Sequence, residues 1–132
     1  MVVENTQCRI RVGSTGWRVV RARAAATTAR PDSSEALAAY AEARALFEAQ
    51  NEPASVAIAW HQIGMVHQAA GHYGEAEAAY RRSLEIRVRN NLRGEQAASL
   101  NQLGNLYNDH LNRPEEAVIF YRQAADLYVE RV

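Results

Sequence analysis

The chain repeats itself at an interval of about 40 residues, and this feature restricts its fold more than any other. The segment IAWHQIGMVHQAAGHYGEAEAAY at 58–80 returns as ASLNQLGNLYNDHLNRPEEAVIFY at 98–121. The interval is 40 residues in the first half of the segment and 41 in the second, as Gly64 and Gly104 and then Tyr80 and Tyr121 show. A partial copy of the second half comes earlier, around Tyr40. Self-similarity at such a period predicts a stack of similar structural units.

Each unit is predicted to be a pair of helices. From residue 33 onward no segment shows the alternation of β-branched residues that is typical of strands. Pro53 and Gly71 interrupt the helical pattern, and Pro114 opens a further helix with two glutamates in its first turn. The predicted helices lie at about Ser34–Gln50, Ala54–Ala70, Tyr73–Arg89, Glu95–His110 and from Pro114 to about residue 131. The predicted fold class is all-α: antiparallel helix hairpins, with a partial repeat at 34–50 and full repeats at 54–89 and 95–131.

Composition argues against several classes of protein. The 132 residues suffice for one domain, and the formal net charge of zero favours neither a nucleic-acid nor a membrane partner. No apolar run approaches the ~18 residues of a membrane span. The single cysteine, Cys8, cannot form an internal disulfide, which predicts a reducing, cytoplasmic location. The chain has no lysine, which we interpret as the coding bias of a GC-rich bacterial genome.

Residues 1–32 differ from the rest of the chain. They hold six arginines against Glu4 and Asp32, a net charge of +4. Three interpretations stay open: a degenerate partner helix at about 16–29, a disordered arm, or accidental translation from a mis-assigned start codon. Trp17 and five arginines could contact nucleic acid by stacking and phosphate pairing, but a net of +4 is modest, and we expect no nucleic-acid partner. Those arginines are Arg9, Arg11, Arg18, Arg21 and Arg23.

The repeated residues resemble the tetratricopeptide repeat, a helix hairpin with Trp, Leu, Gly and Tyr on its first helix and Ala, an aromatic residue and Ala on its second. One copy is given by Trp60, Ile63, Gly64, His67, Gly71, Ala76, Tyr80 and Ser83, and the next by Leu100, Leu103, Gly104, Tyr107, Ala117, Tyr121 and Ala124. The first-helix half is absent from the earliest copy, which has only Ala36, Tyr40 and Ala43. The 40-residue period is similar to the longer variant of kinesin light chains and many bacterial signalling proteins.

This resemblance assigns a packing role to the repeated small residues. Gly64 and Gly104 are expected where the first helix of a hairpin approaches the second closely, since glycine within a helix otherwise costs roughly 1 kcal/mol relative to alanine. The tyrosines at 40, 80 and 121 are expected to fill the space beside them. Ala43, Ser83 and Ala124 are expected to pack on the following helix. Gly104→Leu should therefore destabilise the fold by ~1–3 kcal/mol or more.

The resemblance also implies a concave surface, lined by the first helices, that binds a partner segment. First-helix residues pointing away from the packing stripe are then the candidate site, with Ala69 at its margin. Three asparagines follow one another at i, i+4 and i+7 along one stripe, and their amides can both donate to and accept from a peptide backbone. The candidate groove residues are His61, Met65, Gln68, Asn101, Asn105, Asn108 and Asp109.

Other kinds of site are not predicted. The candidate groove has no lysine or arginine, unlike the relatives that clamp the C-terminal carboxylate of heat-shock chaperones. His61 and His67 lie on different sides of one helix, and neither has a carboxylate or cysteine at metal-ligand spacing. The Gly-Ser-Thr-Gly run at 13–16 lacks the lysine of a phosphate loop. We predict no catalytic residues, no metal and no cofactor.

The predicted function is a non-enzymatic interaction module that holds a partner peptide or helix in its groove. The alternative is a structural or self-associating fragment of a larger multidomain bacterial regulatory protein. Two and a half repeats are few for a stable stack, for which about three are usually needed. The end of the array is expected to leave an apolar edge formed by Leu106, Leu127 and Tyr128. That edge predicts self-association or a missing continuation of the array.

Overall fold

The computed structural model describes residues 34–131, which form five helices and no strand. The expectations for the arginine-rich segment at 1–32 lie outside this range. The helices are α1 (Ser34–Ala49), α2 (Pro53–Ala69), α3 (Tyr73–Arg89), α4 (Arg93–Asp109) and α5 (Pro114–Arg131). The all-α hairpin-repeat fold predicted from the sequence is confirmed. Only the start of α4 differs by as much as two residues, because the helix continues back through Gly94 to Arg93.

Every turn between helices contains one residue in the left-handed conformation. In the first three turns its backbone N–H bonds back into the preceding helix, as does that of the next residue; in the second turn, for example, His72 N–H donates to the carbonyl of His67 over 2.8 Å. In the fourth turn the N–H of Arg113, the next residue, donates to the carbonyl of Tyr107 over 2.9 Å. Glycine adopts this conformation at no cost, and asparagine tolerates it better than most residues. The four residues are Asn51, Gly71, Asn91 and Asn112, with φ of 59°, 83°, 57° and 55°. The turn in NEP therefore contains both a left-handed asparagine and a proline, whereas the turn in NNLRG has a left-handed asparagine and no proline.

The helices pack in chain order, and α2 with α3 and α4 with α5 form the two closest pairs. One apolar cluster joins α1, α2 and two residues of α3 around Phe47. A second joins α3, α4 and α5 around Tyr80 and Leu103, both fully buried. Leu106 is also fully buried in this cluster, so it does not contribute to the apolar edge expected at the end of the array. Because α3 contributes to both clusters, it joins α1 and α2 to α4 and α5. Because burial is continuous from one hairpin to the next, the stack can be stable although no single hairpin has a core of its own.

A tyrosine ring lies directly on Gly64 and another on Gly104. A Cβ atom on Gly64 would lie 2.6 Å from Cε1 of Tyr80, and one on Gly104 would lie 2.6 Å from Cε1 of Tyr121. Real Cβ atoms essentially never approach another carbon so closely, so each glycine provides the space for a ring. The close approach expected at these glycines is present, but a side chain from the second helix makes it. The tyrosine is on the glycine, not beside it.

The three small residues of the second helices contact different neighbours. Ala43 of α1 belongs to the cluster that includes the following helix, α2, as expected. Ser83 donates its hydroxyl to the carbonyl of Ala57 in the preceding helix, α2, over 2.8 Å. Ala124 packs against Ala97 and Leu100 of α4, which also precedes it. Ser83 and Ala124 therefore each contact the first helix of their own hairpin, and the packing of Ser83 on the following helix stays a prediction.

A polar network joins the two hairpins. Tyr107 of α4 donates its hydroxyl to Glu77 of α3 and accepts a hydrogen bond from Arg81 Nη2 over 2.6 Å. Arg81 Nε also donates to the Glu77 carboxylate over 3.0 Å. His67 occupies the position of Tyr107 one repeat earlier, where the residues equivalent to Glu77 and Arg81 are Leu37 and Ala41. The histidine therefore faces an apolar neighbour helix, and its Nδ1 atom is buried without a partner among the described residues.

Candidate functional site

A cleft of about 410 Å³ opens between α2 and α4, with α3 at its base. No aspartate, glutamate, lysine or arginine lines it. Two glutamine amides, a tyrosine hydroxyl and an imidazole supply its polar atoms, and the rest of its lining is apolar or aromatic. The lining residues are Met65, Gln68, Ala69, Tyr73, Tyr80, Gln102 and His110. We refer to this surface as the α2–α4 cleft.

Tyr80 links the two walls of the cleft. Its ring is held on Gly64, and its hydroxyl donates to Oε1 of Gln68 on α2 over 2.7 Å. The same hydroxyl accepts a hydrogen bond from Nε2 of Gln102 on α4 over 3.3 Å. Burial raises the pKa of Tyr80, so the hydroxyl keeps its proton at neutral pH. Two residues that are 34 positions apart in the sequence are thereby held around one oxygen atom.

The ends of the cleft differ in character. At one end the rings of Tyr73 and His110 stack, with centroids 4.3 Å apart and planes inclined by 13°. On the α2 wall the side chain of Met65 is 44% exposed, which leaves a flexible apolar surface open to solvent. An apolar side chain of a bound segment can therefore contact Met65 or the Tyr73 ring without displacing a charged group.

His61 lies deeper than the other candidate residues. It is half-buried against the ring of Tyr80, at a centroid distance of 5.4 Å. Burial, together with the positive charge of Arg87, lowers the pKa of His61 to about 4, so its ring is neutral at pH 7. Arg87 is itself 94% buried and donates to the carbonyl of Glu95 and, over 2.7 Å, to the hydroxyl of Ser99. His61 therefore supports the cleft from behind and does not line it.

The asparagine stripe lies on α4 outside the cleft lining. Asn101 is half-buried, whereas Asn105 and Asn108 are exposed. Asn105 accepts a hydrogen bond of 2.5 Å from the hydroxyl of Tyr121, and Asn108 donates to the carboxylate of the exposed Asp109 over 2.9 Å. Of the seven predicted groove residues, the structure thus brings Met65 and Gln68 together in the cleft. The four on α4 form an adjacent surface, of which Asn105, Asn108 and Asp109 are exposed and Asn101 is half-buried.

Four cleft residues were not predicted: Tyr73, Tyr80, Gln102 and His110. Tyr80 was assigned to packing alone, and its hydroxyl is what reaches the cleft. The sequence does indicate that Gln102 is a repeated residue, because Gln62 occupies the equivalent position of the preceding repeat. In each repeat a glutamine and then an isoleucine or a leucine come directly before the glycine, Gly64 or Gly104. The stacking of Tyr73 on His110 joins residues from different hairpins and has no counterpart in any local pattern.

Within residues 34–131, no group of three or more histidine, cysteine, aspartate or glutamate side chains is arranged to hold a metal ion. His67 and His72 approach each other to a centroid distance of 5.9 Å, and His110 stacks on Tyr73. None of the helices α1 to α5 is long and apolar enough to cross a membrane.

The structure is that of an all-α repeat protein whose units stack in chain order. Its hairpins, its glycine–tyrosine contacts and its shared apolar clusters define it as such. Comparison with protein families identifies the repeat: a tetratricopeptide repeat model matches residues 21–89 and again 55–128. The chain belongs to the tetratricopeptide repeat family. Comparison with curated proteins and with solved structures found no match. Repeats of this family generally mediate protein–protein interactions and are typically not enzymes. The similarity to the long-period, kinesin-light-chain-like variant stays a prediction.

Proposed function

We propose that this protein is a non-enzymatic binding module that holds a peptide segment of a partner protein against α2 and α4. The observation that carries the proposal is the α2–α4 cleft, in which two amides are held in fixed orientation beside exposed apolar surface. The asparagine stripe at 101, 105 and 108 continues this polar surface along α4. Cys8 and the absence of lysine support a cytoplasmic, bacterial setting within the same proposal.

The chemistry of the surface selects the kind of segment. Because no charged side chain lines the cleft, a charged residue placed there would lose hydration without gaining a partner. A segment with uncharged residues avoids that cost and satisfies the amides through its backbone. The proposal therefore excludes a ligand recognised through a terminal carboxylate at this cleft.

The proposal is tested with random 12-residue peptides displayed on phage and selected on the immobilised protein. Synthetic copies of the enriched peptides are then titrated by calorimetry into wild type, Met65→Glu, and Asn101→Ala/Asn105→Ala. We expect Met65→Glu to weaken binding at least tenfold, because it places a charge beside the cleft, and the double variant to weaken it several-fold.

Gln123→Ala is the matched control, since Gln123 is an exposed amide on α5 outside the cleft. It should bind like wild type. Thermal melting of each variant checks that the fold is intact. Equal affinity of wild type and Met65→Glu for every enriched peptide would remove the cleft from the proposal.

We also propose self-association through α5 as a second function. Val118, Tyr121 and Tyr128 are 50%, 36% and 49% exposed and fall on one face of α5 together with Ala125. The equivalent positions of α3 are covered by α4, through the contacts of Glu77, Tyr80 and Arg87. On α5 the two charged residues of this set are replaced by Val118 and Tyr128, which makes the face apolar and self-complementary.

A further inference from the structure

We propose that the α2–α4 cleft binds one trans peptide unit of an extended, uncharged segment, whose carbonyl oxygen accepts from the amide of Gln68 and whose N–H donates to the amide of Gln102. This inference rests on the proposed peptide-binding function and specifies its ligand. It assigns a binding role to Gln102 and an orienting role to Tyr80.

The single proton of the Tyr80 hydroxyl sets the polarity of the cleft. That proton goes to Oε1 of Gln68, so the NH₂ group of Gln68 is left to donate elsewhere. The hydroxyl oxygen accepts from Nε2 of Gln102, so the carbonyl oxygen of Gln102 is left to accept. If both amides were turned over, the hydroxyl would donate to Gln102 and accept from Gln68. In either arrangement one amide keeps its whole NH₂ group free to donate and the other keeps its whole carbonyl oxygen free to accept. Each amide also keeps one further N–H or lone pair, because an amide has two donors and an oxygen with two lone pairs.

A trans peptide unit matches this arrangement. Its C=O and N–H groups point in opposite directions across the chain. Gln68 lies on α2 and Gln102 on α4, on opposite walls of the cleft. A backbone that runs along the cleft can therefore present its carbonyl to one wall and its N–H to the other from the same unit. A carboxylate can only accept and would leave the carbonyl oxygen of Gln102 without a donor, and an ammonium group can only donate and would leave the NH₂ group of Gln68 without an acceptor.

The surroundings favour an uncharged segment with an apolar side chain. The two glutamines are half-buried, so part of their hydration is already lost before a ligand binds. Met65 and the Tyr73 ring offer apolar contact on either side of the amides. Because the Tyr80 ring is fully buried on Gly64, the hydroxyl that orients the amides has little freedom to move.

The test replaces single backbone amides of the bound peptide by esters. The probe is the tightest synthetic 12-residue peptide from the phage selection, prepared as a series in which each amide in turn becomes an ester. An ester lacks the N–H donor and has a weaker carbonyl acceptor. We expect one position at which the ester raises Kd about tenfold, as the loss of one hydrogen bond at a partly buried site predicts.

Binding of the same ester peptides to variants of the protein identifies the side chain that accepts the hydrogen bond from that peptide N–H. In Gln102→Leu the ester penalty at this position should fall to about two- to threefold, because the acceptor of the N–H is gone and only the weakened carbonyl contact with Gln68 remains. In Tyr80→Phe it should shrink, because the amides are no longer oriented, and thermal melting shows whether that variant is folded. Gln123→Leu is the matched control and should keep the full penalty. Esters that all bind within twofold of the parent peptide, or a penalty that is undiminished in Gln102→Leu, would overturn the inference.

The two proposals fail differently. If no enriched peptide is weakened by Met65→Glu, the cleft is not a peptide site and both proposals fall. If Met65→Glu abolishes binding but no ester position couples to Gln102, peptide binding stands and only the backbone-recognition inference is lost.

Discussion

Gly64 and Gly104 have the same role in their hairpins but different surroundings. The ring on Gly64 belongs to Tyr80, which is fully buried beneath α4 and hydrogen-bonded at its hydroxyl. The ring on Gly104 belongs to Tyr121, which is 36% exposed and is not covered by any described helix. A methyl group added at either position would have to push the ring away. Only one of the two rings has open space to move into.

We therefore expect Gly64→Ala to cost more stability than Gly104→Ala. The first change should lower the free energy of unfolding by about 1–3 kcal/mol, because overpacking outweighs the roughly 1 kcal/mol of helix propensity that alanine gains. In the second, Tyr121 can swing into solvent and the net change should be within about 1 kcal/mol of zero. Urea denaturation of both variants measures the difference. Equal destabilisation would show that the exposure of the ring does not matter.

At the scale of the helices, the stability of the contact between α3 and α4 depends on the ionisation of the Glu77 carboxylate. Burial alone would raise the pKa of Glu77, but the hydrogen bonds from Tyr107 and Arg81 and the positive charges of Arg81 and Arg113 outweigh it and lower the pKa below its ordinary value. Because the folded state then holds the carboxylate more strongly than the unfolded chain does, this contact contributes most above the unfolded-state pKa of about 4.3. The contribution is lost as the pH falls through the lower, folded-state pKa.

Glu77→Gln should consequently destabilise the protein at pH 7 by about 1–2 kcal/mol, since it removes a charged hydrogen-bond acceptor. The difference from wild type should narrow below pH 4.3 and vanish once Glu77 is protonated in both states. Thermal melting of both proteins from pH 7 to pH 3 gives the difference at each pH. Glu85→Gln is a suitable control, because Glu85 is exposed and pairs only with exposed arginines. A constant difference across the range would contradict this account of Glu77.

At the scale of the whole molecule, two separate surfaces of the stack differ in their chemistry. The side formed by α2 and α4 holds the uncharged cleft, and α5 presents an apolar stripe at the end of the described array. The residues of the stripe, at positions 118, 121, 125 and 128, are spaced three, four and three residues apart. This spacing is typical of the contact surface between two packed helices. The proposed peptide site and the proposed self-association surface are therefore separate and can be altered independently.

The apolar stripe predicts a mass that rises with protein concentration in light scattering. The double variant Val118→Glu/Tyr128→Arg gives α5 the charged residues that α3 has at the equivalent positions, and we expect it to remain monomeric because charges on the seam stay hydrated only when exposed. Val88→Glu is the matched control, since Val88 is 56% exposed on α3 outside the stripe. A wild-type chain that stays monomeric at the highest concentration would rule out self-association through α5.

The sequence by itself determined the helices, the turns and the repeat. Each of these depends on residues close in the chain: prolines and glycines at helix ends, the apolar period within a helix, and the spacing of 40 and 41 residues between copies. It also placed the two glycines at close contacts, because a glycine in a helix needs a reason in packing. Only the tertiary structure decided the cleft. Tyr80 reaches Gln68 and Gln102 across helices, and Tyr73 meets His110 from another hairpin. Local patterns carry no information on which side chains meet when two hairpins stack, since that depends on the angle and register between helices.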